Sequence, residues 1–488
     1  MNILGHARRN TTITEYTDMP ELHDWSAAEL SAAYAKRRLS PVEATKAVIA
    51  HIARWEPQLN ALYAYGPEHA LAAARAAEAR WQRGAPLSPL DGVPVTIKEN
   101  IATKGTPVPL GTAATDLVPA AEDAPPAARL AEAGCVLLGK TTMPDYGMLS
   151  SGLSTFHALA RNPWDLSKNP GGSSAGAGAA AAAGYGPLHI GTDIGGSIRL
   201  PAAWCGVVGL KPSNGRVPIK PPYIGRVAGP MTRTVTDAAL MMAALSKPDW
   251  RDTTSLPYQG IAWADLTRKV VGLKGLKIGL MLDAGWGLPP NADIVRAVTH
   301  VAGLFERAGA TVEPLAPFTT RTMADGINLF WRVRSWVDIA ALPAERRAKV
   351  LPYIREWAAI GERTTTAELF HGYSQIGALR EAAVAACQPY DFVISPVAPV
   401  VTYAADWASP TNDPMTTMDH IAFTLPFNMS EQPAISVPCA HDGAGLPIGV
   451  QIIGHRHDDL GVLRLARTLE LLRPADALRP WPQPPQGD

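Results

Sequence analysis

The chain has 488 residues, and its 44 lysines and arginines are balanced by 44 aspartates and glutamates, so its formal charge is zero. A hydrophobic content of 47% is typical of a globular protein and excludes a disordered chain. The balanced charge, with no clustered Lys/Arg face, argues against nucleic-acid binding, which normally requires a basic surface. We therefore expect an enzyme with a large buried core.

The sequence contains no segment typical of export or membrane insertion. The N-terminus lacks the apolar core of about 7 to 15 residues that a secretory signal needs, and the Ala/Gly run from Gly176 to Gly186 is shorter than the roughly 20 residues of a membrane helix. The cysteines are dispersed without a C-x-x-C pair, which indicates a reducing compartment and roles as small core residues. They are Cys135, Cys205, Cys387 and Cys439. We expect a soluble cytoplasmic protein that binds no membrane.

Helices are predicted near the N-terminus, after residues 1–20, which are polar and aperiodic and which we expect to form a flexible arm. Two capping boxes, each a serine with a glutamate three residues later, are indicated at Ser26/Glu29 and at Ser40/Glu43. The second box is followed by Pro41 and an apolar pattern, which predicts a helix. The Ala-rich run from His69 to Arg83 predicts another.

Short apolar runs bounded by turns then indicate buried strands. They are Gly92 to Lys98, Cys135 to Gly139, Lys277 to Leu282 and Phe392 to Pro396. Helical segments such as Asp293 to Ala308 separate them, and this alternation predicts an α/β sheet covered on both faces. No linker interrupts residues 21–470, so we expect a single large domain there and a Pro-rich tail over residues 471–488.

The segment from 169 to 218 carries the chemistry. Ser173, Ser174 and Ser197 lie in it among closely spaced glycines. Glycine permits turns with positive φ and close backbone approach, so several N–H groups can point at one spot. Such a cluster predicts an anion-binding concavity, either a phosphate cradle or an oxyanion hole.

Three other motifs have to be weighed against that interpretation. Gly134 to Thr141 fits a phosphate loop, but its inner residues are apolar and indicate a strand, whereas a phosphate loop follows its strand. Gly172 to Gly176 fits the nucleophile elbow of a serine esterase centred on Ser174, but a turn rather than a strand precedes it; we keep this as an alternative. His455 and His457 have acidic neighbours, yet no further ligand is spaced to close a metal site, so a solvated turn is favoured.

The serine segment resembles the amidase signature family. Its Gly-Gly-Ser-Ser-Gly-Gly and Gly-Thr-Asp-x-Gly-Gly-Ser-Ile-Arg blocks correspond to Gly171 to Gly176, with Ala175 as the one departure, and to Gly191 to Arg199. Similar blocks include DGVPVTIKEN at 91–100, LAEAGCVLLGKTTMPDYG at 130–147 and GLPIGVQIIG at 445–454. The resemblance implies one α/β domain, with a twisted mixed sheet flanked by many helices.

The resemblance also implies catalytic roles. Ser197 would be the nucleophile, Ser173 a bridging serine preceded by a cis peptide, and Lys98 the general base. A serine hydroxyl needs a base within reach, and lysine can act as one only when neutral, a form that desolvation on an apolar strand favours. The expected oxyanion hole consists of backbone N–H groups of Ile194, Gly195, Gly196 and Ser197. Supporting or substrate-binding roles would fall to Ser174, Thr192, Asp193, Gly147 and Leu200, with no metal or cofactor.

The family contains stand-alone amidases and the glutaminase subunit of a tRNA-dependent amidotransferase. Those subunits usually have Gln where this chain has Leu200. An apolar side chain next to the nucleophile, with thirteen tryptophans in the chain, suggests a small neutral amide, hydrophobic or aryl, with esters or carbamates as side substrates. We therefore expect a stand-alone amidase whose partners are a small-molecule amide and water, acting as a monomer or homodimer. The glutaminase-type subunit is the alternative.

Three further expectations concern residues outside the catalytic set. Arg199 is expected to be a structural pin rather than a substrate ligand, and Thr192 and Asp193 could merely order their turn. An apolar helical pattern predicts core packing, with substrate lining as the alternative for some of its members. Its residues are Met323, Ile327, Phe330, Trp331 and Val337.

Overall fold

The fold was analysed in a computed structural model of the chain, which describes residues 21–267, 272–474 and 476–485. The predicted N-terminal arm, residues 1–20, lies outside the described residues. The strands are β1 (Leu62–Tyr63), β2 (Pro94–Lys98), β3 (Val136–Thr141), β4 (Leu188–Asp193), β5 (Val208–Lys211), β6 (Val227–Thr232), β7 (Lys277–Leu280), β8 (Thr311–Pro314), β9 (Phe392–Pro396), β10 (Ala434–His441) and β11 (Pro447–Ile453).

Helices account for most of the remaining regular structure. They are α1 (Ala27–Ala35), α2 (Pro41–Leu59), α3 (Pro67–Gln82), α4 (Pro125–Glu132), α5 (Ala175–Ala183), α6 (Arg199–Cys205), α7 (Val235–Leu245), α8 (Ala292–Arg307), α9 (Arg321–Ala340), α10 (Ala344–Arg347), α11 (Pro352–Ala358), α12 (Thr366–Cys387), α13 (Leu425–Met429) and α14 (Asp459–Leu472). Both predicted capping boxes are confirmed, at the starts of α1 and α2. None of the described helices is long and apolar enough to cross a membrane.

The strands form one mixed sheet in the order β1-β3-β2-β4-β6-β5-β10-β11-β9-β7-β8. The pairs β3/β2, β2/β4, β9/β7 and β7/β8 are parallel, and the other neighbours are antiparallel. Every residue of β2, β4, β6, β9 and β11 is buried. A sheet whose central strands are buried in this way is covered on both faces, so the predicted single α/β domain with a mixed sheet is confirmed.

Helix α5 packs against α6 and the sheet strands β2, β3, β4 and β6. Its sequence contains only alanine and glycine, and all nine of its residues are buried. The small side chains let neighbouring backbone approach closely: a Cβ on Gly176 would lie 2.2 Å from the carbonyl oxygen of Ala61 and 2.5 Å from the backbone nitrogen of Thr142. A longer side chain there would displace the backbone on which the start of α5 rests.

Helix α9 follows its predicted pattern only in part. Ile327 and Trp331 are buried at 0% and 6% exposure, but Val337 is 60% exposed. The core prediction for Val337 is therefore wrong, because the helix turns this position toward solvent.

The four cysteines are free thiols; Cys205, Cys387 and Cys439 are buried and Cys135 is half-buried. In the C-terminal segment, Trp481 packs under the guanidinium of Arg233, 4.3 Å from the ring centre.

Candidate active site

The sheet brings Lys98 beside the serine segment. Strands β2 and β4 run parallel with Ile97 opposite Ile190, so their carboxyl ends lie side by side. Lys98 is the last residue of β2, and Thr192 and Asp193 are the last two of β4. The serines come from segments before and after β4 in the chain. Helix α5 begins directly after Ser174, and α6 begins shortly after Ser197.

The amine of Lys98 is surrounded by oxygen atoms. Its Nζ lies 2.8 Å from Ser173 Oγ, 3.0 Å from Ser174 Oγ and 3.0 Å from Thr192 Oγ1. The Thr192 hydroxyl is shared with Asn100, whose Nδ2 donates to it over 3.1 Å. This geometry places the lysine within proton-transfer distance of Ser173 and fixes its position from three sides.

Burial lowers the pKa of Lys98 well below that of an ordinary lysine. The residue is 0% exposed, and desolvation disfavours the ammonium form. The positive charge of Arg226 lowers the pKa further, while Asp193 and Glu99 act in the opposite direction. The neutral amine required of a base is therefore far more accessible here than in water.

Ser173 and Ser174 have different surroundings, although they are adjacent. The Gly172–Ser173 peptide is cis, as predicted, and Ser173 lines the large cavity described below. The Ser174 hydroxyl is fully buried, donates to the Thr192 carbonyl over 3.2 Å and lines neither of the two cavities at Ser197. In the described part of the chain no strand leads directly into Ser174, so the context that a nucleophile elbow requires is missing.

Asp193 and Arg199 hold the loop that carries Ser197. Their side chains form a fully buried ion pair of 2.9 Å, and Asp193 also accepts the N–H groups of Gly196 at 2.8 Å and Ile198 at 3.0 Å. Burial alone would raise the pKa of Asp193, but the charge and hydrogen bonds of Arg199 hold it below the ordinary value. Arg199 further donates to the Thr424 carbonyl. These contacts match the structural-pin interpretation of Arg199.

The bond from Gly196 changes the predicted oxyanion hole. Because its N–H donates to the Asp193 carboxylate, Gly196 is not available as a donor to substrate, and this part of the prediction is wrong. The N–H groups of Ile194, Gly195 and Ser197 make no hydrogen bond within the described part of the chain. Gly196 instead supplies backbone freedom, since its φ is +127° and a Cβ there would lie 2.6 Å from Thr424 Oγ1.

Ser197 lies between two cavities. A larger one of about 480 Å³ is also lined by Ser173, Thr192, Asp193 and Gly147. A smaller one of about 50 Å³ is also lined by Gly147, Trp331 and the buried His420. Gly147 therefore contributes space beside the serines: a Cβ on it would lie 3.4 Å from Ser173 Oγ. Ser197 Oγ itself has no hydrogen-bond partner among the described residues, which leaves it free to meet a ligand.

Leu200 does not belong to this site. Its side chain is fully buried in an apolar cluster with Trp204, and it lines neither of the two cavities at Ser197. The reason is helical geometry, since α6 turns position 200 toward the core. The substrate preference inferred from Leu200 therefore loses its basis.

Sequence reasoning missed several cavity residues. The larger cavity is also lined by Asn100, Tyr146, Tyr223, Arg226, Arg334 and Asp338. Only Asn100 lies close in sequence to a predicted catalytic residue. The others come from loops and from α9, and no local motif marks them.

The remaining motifs have structural explanations. Val136 to Thr141 of the phosphate-loop match form strand β3, as predicted, and Lys140 donates to the Ile101 carbonyl. His455 and His457 lie in a turn, where His457 is exposed. Within the described residues, no group of three or more histidine, cysteine or acidic side chains is arranged to hold a metal ion.

Several solved structures share this fold. A bacterial aryl acylamidase of the amidase signature family superposes with a TM-score of 0.84 and 29% identity, covering 92% of this chain and 96% of that one. A 6-aminohexanoate cyclic dimer hydrolase superposes with a TM-score of 0.81 and 26% identity, covering 95% and 99%. These neighbours support an amide-hydrolysing enzyme.

Curated relatives with similar sequences are amidotransferase A subunits. The glutamyl-tRNA(Gln) amidotransferase A subunit of Myxococcus xanthus (strain DK1622) is 36% identical over 92% of this chain and 97% of its own length. The protein of the same name from Chloroflexus aggregans (strain MD-66 / DSM 9485) is 34% identical over 92% and 96%. These matches contradict the expectation of a stand-alone amidase for small neutral amides and favour the glutaminase-type alternative.

The Amidase family model matches residues 43–463. This range contains β2 with Lys98, both serine blocks and every strand of the sheet. The chain therefore belongs to the Amidase (amidase signature) family.

Proposed function

We propose that this chain is a glutaminase-type component of a larger complex, which releases ammonia from the carboxamide of glutamine through an acyl-enzyme on Ser197. The observation that carries the chemistry is the buried amine of Lys98, 2.8 Å from Ser173 Oγ at the edge of a cavity that Ser197 also lines. The relatives from glutamyl-tRNA(Gln) amidotransferases, at 34% and 36% identity over nine-tenths of the chain, support glutamine as the substrate and a complex of several chains as the setting.

The proposed reaction begins with attack of Ser197 Oγ on the carboxamide carbon. Its proton moves to Ser173, whose own proton moves to the neutral amine of Lys98, because a hydroxyl can accept and donate at once. The N–H groups of Ile194, Gly195 and Ser197 are the donors we assign to the developing oxyanion, and one such donor contributes about 3 to 4 kcal/mol to transition-state stabilisation.

Collapse of the tetrahedral intermediate breaks the carbon–nitrogen bond. The proton held by Lys98 returns through Ser173 to the leaving nitrogen, so that ammonia departs and the acyl group remains on Ser197. Water then attacks this ester by the same proton relay, in which Lys98 again accepts the proton through Ser173. The products are one carboxylic acid and one ammonia for each amide and water consumed.

The test measures ammonia released from L-glutamine by the purified full-length chain and, separately, the mass of the chain after treatment with a diazoketone analogue of glutamine. We expect ammonia release that disappears in Ser197→Ala, and a single adduct that maps to Ser197. Formation of the adduct needs no complete catalytic cycle, so it does not depend on a partner chain. If neither ammonia nor an adduct on Ser197 forms, the proposal is wrong.

The adjacent serine provides a matched control. Ser174→Ala removes a hydroxyl of the same size that also contacts Lys98 but lines neither of the two cavities at Ser197. The adduct should remain on Ser197 in this variant. An adduct that disappears in Ser174→Ala and persists in Ser197→Ala would assign the nucleophile to Ser174.

A further inference from the structure

The larger cavity at Ser197 carries an unbalanced positive charge. Its charged lining residues are Asp193, Lys220, Arg226, Arg334 and Asp338. Two of these charges are cancelled by partners outside the lining, because Asp193 pairs with Arg199 and Lys220 pairs with Glu122. The remaining three are two arginines and one aspartate, and Lys98 is held toward its neutral form. The cavity therefore has one positive charge in excess.

Arg226 is the source of this excess. Within the described residues it has no ion-pair partner, and the hydrogen bond of its guanidinium is a 3.3 Å contact from Nη1 to the Pro221 carbonyl. A half-buried guanidinium without a counter-ion is unusual, since charges removed from water are normally paired. Burial, followed by the charge of Arg334, lowers the pKa of Arg226 to about 10, so the group stays cationic at neutral pH.

The sheet places Arg226 near the reacting centre. Strands β4 and β6 are antiparallel with Asp193 opposite Val227, and the next residues beyond that pair are Ile194 and Arg226. Arg226 therefore lies directly before β6, beside the start of the loop that carries Ser197. Its charge also acts on the Lys98 amine, which agrees with a location close to the proton relay.

Arg334 approaches the same cavity from α9. Its guanidinium lies 4.7 Å from the ring centre of Tyr223 and 3.6 Å from Asp338, one helical turn further on. Asp338 is 57% exposed and Arg334 is 47% exposed, so this pair leaves donor groups of the guanidinium for a ligand. A carboxylate bound between Arg226 and Arg334 would bring the cavity to electrical neutrality.

We propose that Arg226, together with Arg334, forms a subsite for a carboxylate group of the substrate in the cavity that Ser197 lines. The subsite deepens the proposed function, because it rests on Ser197 acting on an amide whose acyl part carries a carboxylate, as that of glutamine does. Guanidinium groups suit this role, since their planar N–H donors match the two oxygens of a carboxylate. A volume of about 480 Å³ suits a small-molecule ligand.

The test measures binding by calorimetry in the Ser197→Ala chain, which prevents turnover. The first probe is glutaramate, the glutamine skeleton without its amino group. The second is 5-methylhexanamide, in which an isopropyl group replaces the carboxylate at equal size. We expect glutaramate to bind more tightly, and Arg226→Met to weaken its binding by about tenfold or more, the size of a lost charge-assisted hydrogen bond. Binding of the neutral amide should not change.

Lys220→Met is the matched control. Lys220 lines the same cavity, but its charge is already paired with Glu122, so its removal should alter glutaramate binding by less than about twofold. If Arg226→Met melts early, Arg226→Gln replaces it, since glutamine keeps a polar end without the charge. Equal glutaramate affinity with and without the Arg226 charge, or no preference for glutaramate over the neutral amide, would overturn the subsite.

The outcomes separate the two proposals. If the wild-type chain releases ammonia from glutamine while Arg226→Met binds glutaramate normally, the function stands and the subsite is wrong. If Arg226 controls glutaramate binding but neither ammonia nor an adduct on Ser197 forms from glutamine and its analogue, the subsite stands and the glutaminase function is wrong.

Discussion

Replacing Asp193 by asparagine should destabilise the protein, because it leaves the charge of Arg199 uncompensated in the core. Both side chains are fully buried, and their ion pair is 2.9 Å long. Removing one partner of a buried pair typically costs about 3 to 5 kcal/mol. The unfolding entropy of about 2.1 cal/mol/K per residue gives about 1 kcal/mol/K for this chain. The melting temperature of Asp193→Asn should therefore fall by about 3 to 5 °C.

The assay is thermal unfolding followed by circular dichroism at one fixed scan rate. Glu313→Gln is the control, because it removes one partner of an exposed ion pair of similar length, 2.9 Å, with Lys277. Its melting temperature should match that of the wild type.

The pH dependence of the stabilisation by Asp193 has a definite sign. Because the folded pKa of Asp193 lies below its ordinary value, its stabilisation is present above about pH 4 and is lost as the pH falls through the folded pKa.

An unchanged melting temperature in Asp193→Asn would refute the reasoning that this pair holds the nucleophile loop. The same variant also tests catalysis. Asparagine cannot accept the N–H groups of both Gly196 and Ile198 with its single oxygen while also facing Arg199. Ammonia release should therefore fall even at a temperature where the variant is fully folded.

The other predictions concern the proton relay and are checked by ammonia release from glutamine. Lys98→Ala should lose about 10²- to 10⁴-fold in rate, the usual share of a general base, while melting no earlier than wild type; near-normal turnover would remove Lys98 from the mechanism. The rate should rise with pH as Lys98 loses its proton, at a pH well below the ordinary lysine pKa. Arg226→Met should move this limb to higher pH, because Arg226 lowers the pKa of Lys98; an unmoved limb would contradict that link. Ser173→Ala should lose far more activity than Ser174→Ala, and equal losses would argue against Ser173 as the bridge.

Local sequence patterns predicted most of the fold. The capping boxes at Ser26 and Ser40 mark the starts of α1 and α2, and the apolar runs at 92–98 and 392–396 contain β2 and β9. These features depend on neighbours within a few residues, so they can be recognised without knowledge of the remaining chain. The apolar pattern on α9 did not predict the exposure of Val337, because that exposure depends on what packs against the helix.

The resemblance to a family placed Lys98 and the serines together, and the structure brings Lys98 within hydrogen-bonding distance of Ser173 and Ser174. It did not predict that the N–H of Gly196 would donate to Asp193. A block of small residues offers several N–H groups, and only the direction of each peptide decides which of them meets a carboxylate. The expectation of a small neutral amide is wrong as well, because the matching relatives are amidotransferase A subunits. Leu200, on which it depends, is close to Ser197 in sequence, but its side chain lies in an apolar cluster.

What the sequence by itself determined is the alternation of strands and helices, the helix starts and the small, glycine-rich serine segment. These are encoded by propensity, capping and periodicity over short stretches of chain. Only the tertiary structure decided which charges meet in the cavity. Arg226 precedes β6, whereas Arg334 and Asp338 lie on α9, about a hundred residues further on. Their common position results from the β4/β6 register and from the placement of α9 beside the cavity, where it packs against α11 and α12. Long-range packing of this kind leaves no signature in a local motif.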